Sequence, residues 1–79
     1  MAAGTGAAGG GALLGIEAEI AAAHAQIALL ESEIAMGEAA LASGAYDAVQ
    51  AMFVQQAIAM ARTQISSLWA YINFLLSLL

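Results

Sequence analysis

The chain has no cysteine and no proline, and its only cationic side chain is Arg62. The lack of cysteine excludes a disulfide framework and a thiolate metal site. His24 is the single histidine, and one imidazole does not assemble a zinc site, which takes about three or four protein ligands. With no proline, nothing kinks or stops a helix from within. One cation against six acids gives a formal net charge of −5. That is the reverse of the Lys/Arg patch that usually marks nucleic-acid binding. It also removes the basic-loop signal that orients most membrane proteins. The N-terminus has neither the basic stretch nor the apolar run of a secretory signal, so none is expected.

What the chain does have is apolar side chains. They make up 63% of its 79 residues, while charged residues make up only 9%. Soluble domains run at roughly 45–50% apolar and about 25% charged. A chain this short buries only about 60% of its surface when it folds alone. A monomer in water would therefore expose much apolar surface, and the composition predicts that the protein sits in lipid or packs against many copies of itself.

Residues 1–11 are Ala, Gly and Thr5 after Met1, with glycine at 4, 6, 9, 10 and 11. This reads either as a flexible terminus or as backbone packed closely against something. From about 12 to 43 the chain reads as one long helix of strong helix formers. Leu13, Ile20, Ile27, Ile34 and Leu41 recur every seven residues, with Ile16, Ala23, Leu30 and Gly37 between them. This is a 4–3 apolar seam, and Gly37 within it predicts close helix approach. Residues 43–47, Ser-Gly-Ala-Tyr-Asp, form the turn, with Gly44 suited to the left-handed position after a helix. A second helix, about 46–79, carries Ala51, Ile58, Ile65, Ile72 and Leu79, interleaved with Val54, Ala61, Leu68 and Leu75. Two such helices joined by a short turn run antiparallel, each roughly 50 Å long. The expected fold is an all-α antiparallel helical hairpin that assembles into a helical filament.

The remaining faces depart from an ordinary hairpin. Polar residues of helix 1 form two columns beside the seam: Glu17, His24, Glu31 and Glu38 on one side, Glu19, Gln26 and Glu33 on the other. The face opposite the seam, normally polar, is instead Leu14, Ala18, Ala21, Ala25, Ala28, Leu29, Ser32, Ala35, Met36 and Ala39. Helix 2 likewise carries Tyr46, Phe53, Met60 and Phe74 off its seam. Each helix thus has a second apolar surface that the hairpin leaves uncovered, which predicts lateral self-assembly.

Chemistry fares poorly by comparison. The pairs Glu17/Glu31 and Glu31/Glu38 have the residue type for acid–base work, but their spacing is that of a polar seam edge. Gly4-Thr5-Gly6 and Gly9-Gly10-Gly11 lack the strand and the Lys-Ser/Thr of a P-loop. Catalysis and a cofactor are not expected. The most apolar run, residues 68–79, falls short of the ~20 residues of a membrane span.

The whole pattern resembles the major virion protein of the clavaviruses, rod-shaped viruses of hyperthermophilic archaea. The likeness covers the Gly-rich start, the Leu13–Leu41 helix, the turn and the apolar, aromatic Tyr46–Leu79 helix. It rests on size, composition and pattern. It implies a virion coat in which many copies form a shell around double-stranded DNA. Filamentous phage coats are a looser likeness, since they normally end in a Lys-rich segment where this chain ends Phe74-Leu75-Leu76-Ser77-Leu78-Leu79. Conjugative pilins, also small apolar hairpins, and a two-helix membrane protein are the alternatives.

Three residue-level expectations follow. Arg62 flanks the helix 2 seam facing the Glu17/His24/Glu31/Glu38 column, and its level predicts a pair with Glu31, a DNA phosphate being its other candidate partner. On the other edge Tyr71 is predicted to donate to Glu19, with Gln26 near Gln64. Finally, residues 1–16 hold no acid. The backbone amides of Gly4, Thr5, Gly6, Gly9, Gly10 and Gly11, with the positive end of helix 1, are predicted to face DNA phosphates without reading sequence.

Overall fold

A computed structural model describes residues 8–79, with side chains described from 11 onward. Two helices account for nearly all of it: α1, Ala8–Ala42, and α2, Ala48–Ser77. They lie antiparallel in a rod of 59 × 21 × 15 Å. α1 begins earlier than the sequence pattern predicts, because Gly9, Gly10 and Gly11 continue the helix. Helical glycine costs about 1 kcal/mol relative to alanine, but extension of an existing helix adds one hydrogen bond per residue fixed.

The turn is determined locally. Gly44 has φ +75°, a conformation that costs an L side chain roughly 1–2 kcal/mol. The Ser43 hydroxyl donates to the Ala40 carbonyl at 2.6 Å and accepts from the Ala45 amide at 3.2 Å. Asp47 caps α2: the Gln50 amide donates to Asp47 Oδ1 at 2.8 Å, and the Asp47 amide donates to Gln50 Oε1 at 3.1 Å. This reciprocal pair satisfies two otherwise free amides. It also sets the helix start at Ala48 rather than 46, because the cap residue must be extended, with ψ 177°.

The seam forms where the 4–3 pattern places it. Ala23, Ile27 and Ile72 make the buried centre, packed by Ile20, Ile65 and Leu68. Ile58, Ala61 and Leu75 are also buried. Near the turn Gly37 packs directly against α2: a Cβ there would stand 3.2 Å from Ile58 Cδ1 and 3.4 Å from Val54 Cγ1. At the open end the seam frays, and Leu13 and Leu79 are 46% and 55% exposed. Two of the six buried residues are alanines, so the core within one chain is small for its length.

Candidate functional site

Pairing across the seam arranges the polar edge residues. Along one edge the Arg62 guanidinium donates to Glu38 Oε2. This corrects the expectation of Glu31: the column is the expected one, but the partner lies one heptad closer to the turn. Helical side chains lean toward their own N-terminus. In an antiparallel hairpin, Arg62 therefore leans toward the turn and Glu38 leans away from it, so the two converge. Both side chains are more than half exposed, and such a pair contributes at most about 1 kcal/mol.

Further along the same edge, His24 and Trp69 meet edge-to-face, with ring centroids 5.3 Å apart and planes at 79°. Sequence reasoning missed this contact. The signal was present, since His24 belongs to the Glu column and Trp69 stands seven residues from Arg62. The column that pairs with one pairs with the other.

On the opposite edge the Tyr71 hydroxyl donates to Glu19 Oε1 at 2.8 Å. The hydrogen bond to Glu19, aided by desolvation and the carboxylate's charge, holds the phenol above the ordinary tyrosine range. Gln26 and Gln64 line one shallow depression on this edge with Leu30, Thr63, Ser67 and Leu68. They share that surface without a hydrogen bond between them.

Gly9, Gly10 and Gly11 lie in the first turn of α1, where the leading amides have no intrahelical partner. Gly4, Thr5 and Gly6 lie outside the described residues. Among the described residues no group of three or more His, Asp and Glu side chains is placed to hold a metal ion.

The largest feature of the surface is apolar. Leu14, Leu29 and Met36 of α1 and Val49, Met52, Phe53, Met60 and Phe74 of α2 are each 52–67% exposed. All lie on the sides turned away from the seam, beside exposed Ala18, Ala21, Ala25, Ala28 and Ala35. No charged residue interrupts these outer faces: the five glutamates of α1 and Arg62 all sit in the seam-edge columns. One helix segment, Gly11–Ala42, is also long and apolar enough to cross a membrane. Compared with known proteins, the chain matches no family model, no curated protein and no solved structure.

Proposed function

We propose that this chain is a structural coat subunit that polymerises through its outer apolar faces into a helical filament around double-stranded DNA, as the clavavirus resemblance implies. The observation that carries the reading is the exposed outer faces. Eight large apolar side chains on those faces are 52–67% exposed, whereas a soluble monomer rarely exposes contiguous apolar patches larger than a few hundred Å². The work of holding the particle together falls to apolar burial, at roughly 25 cal/mol per Å², because a single cation cannot sustain an ion-pair lattice. DNA is held by its phosphates alone, at the acid-free end formed by residues 1–16.

Electron microscopy of particles purified without detergent, before and after nuclease, tests this reading. Rods whose DNA resists nuclease support it, while hollow or lipid-filled tubes indicate a pilus-type filament. The membrane reading draws on the Gly11–Ala42 segment. Any ~20-residue stretch of that segment, the length a bilayer requires, includes at least two glutamates, and acids in a bilayer are costly. Strict detergent dependence favours it instead.

A further inference from the structure

Resting on the filament reading, we infer that the outer face of α2 docks on the outer face of α1 of a second copy, so that helices alternate α1, α2, α1, α2 along a wall one helix thick. Three observations converge on this pairing.

The first is charge. α1 carries Glu17, Glu19, Glu31, Glu33 and Glu38 and no cation, whereas α2 carries Arg62 and no acid. An α1–α1 contact sets two strongly acidic helices side by side. An α1–α2 contact gives every acidic helix two acid-free neighbours, its own α2 and the next copy's. Because the charges lie at the seam edges, neither outer face has to desolvate a charge when it is covered.

The second is shape and area. The outer face of α2 is a ridge: Val49, Met52, Phe53, Met60 and Phe74 are 52–65% exposed. The outer face of α1 is flatter: Leu14, Leu29 and Met36 stand out at 62–67% exposure, but Ala18, Ala25, Ser32 and Ala39 repeat every seven residues between them. Phe53, Met60 and Phe74 fall on that same seven-residue repeat, or about 10 Å per step along the helix. Side chains of this size offer on the order of 200 Å² each, so the ridge presents roughly 600 Å² at the observed exposures. Together with the matching area on α1, the contact reaches the ~1,000 Å² of a specific interface. Two α1 faces against each other, with three such large side chains each rather than five, bury less, and two ridges against each other leave voids between the large side chains.

The third is symmetry. A contact between unlike faces is heterologous and does not close on two copies, so it propagates. The same wall leaves two polar surfaces uncovered by neighbouring copies, one lined by Glu17, His24, Glu31 and Glu38 and the other by Glu19, Gln26 and Glu33, so that one faces the lumen and the other the outside.

The absence of cysteine makes the test clean. Ser32→Cys on α1 is mixed in equal amounts with Gln56→Cys, Thr63→Cys or Ala70→Cys on α2; these three lie two helical turns apart and so sample the axial register. Each mixture is co-assembled under reducing conditions, imaged, and then oxidised. The inference expects a disulfide dimer of about twice the 7.9 kDa chain mass in at least one mixture, joining position 32 to an α2 position. It expects at least a tenfold excess of that product over 32–32 or α2–α2 dimers. Filaments that yield mainly like–like dimers, or none, overturn the pairing while leaving the filament intact. Folded variants and unmodified chain that all fail to form filaments overturn the filament reading and the pairing with it. Circular dichroism of each variant separates that outcome from misfolding.

Discussion

Gly37 offers the most exacting test of the hairpin. It sits in the seam rather than on an outer face, so substitution there probes the intrachain contact. An added Cβ meets Ile58 Cδ1 at 3.2 Å, Ile58 Cγ1 at 3.3 Å and Val54 Cγ1 at 3.4 Å. The nearest atom is the far end of an isoleucine beside a recess of about 140 Å³, lined also by Ile34 and Ala57, so the side chain has room to move. Gly37→Ala therefore sets a helix-propensity gain of about 1 kcal/mol against a comparable repacking cost, and the net change is within about 0.5 kcal/mol. Gly37→Leu places its branch inside the volume of Ile58 and loses about 1–3 kcal/mol, the range for overpacked cores. Adding Ile58→Ala restores space, and the double variant recovers at least about 1 kcal/mol relative to the sum of the single changes. Guanidinium unfolding followed by far-ultraviolet circular dichroism reads the parent, Gly37→Ala, Gly37→Leu, Ile58→Ala and the double variant. A Gly37→Leu variant as stable as the parent, or a cycle with no coupling, refutes the close approach of the helices at this position.

Other changes have equally definite outcomes in the same assay. Gly44→Ala, at φ +75°, loses about 1–2 kcal/mol, and Asp47→Ala, which removes the cap of α2, loses about 1 kcal/mol. Arg62→Gln changes stability by less than about 1 kcal/mol, because its pair with Glu38 is solvent-exposed; a larger loss shows that the ion pair is covered in the assembly. The Tyr71 pKa is raised by its bond to Glu19. Its contribution is therefore complete below the unfolded value of about 10 and is lost as pH rises through the higher folded value. Ultraviolet titration of the phenolate locates that transition, and Glu19→Gln moves it back toward the ordinary range.

The hairpin was legible because its signals are local and periodic. Apolar residues at 4–3 spacing, a single glycine turn and an aspartate before α2 specify two helices and one register. The Tyr71–Glu19 bond followed from that register alone. The Arg62 partner did not, because the seam levels both Glu31 and Glu38 within reach of a long side chain, and only the opposed lean of the two side chains selects Glu38. His24–Trp69 was missed for a different reason: an aromatic residue in a polar column carries no charge signal to pair. The helical start at Ala8 was obscured by glycine, whose low propensity is outweighed once a long helix already exists. The outer faces were legible as uncovered, since alanine, leucine and methionine fill positions where a solvated helix carries charge.

In the proposed coat the outer faces of both helices are buried between copies of the chain around DNA. Cryo-electron microscopy of detergent-free particles, with nuclease added before vitrification, tests it most directly. The expected result is a helical rod whose wall is one helix thick, with Phe53, Met60 and Phe74 buried between neighbouring copies and duplex density protected in the lumen. Dispersed single hairpins, or rods with those three side chains facing solvent, contradict it.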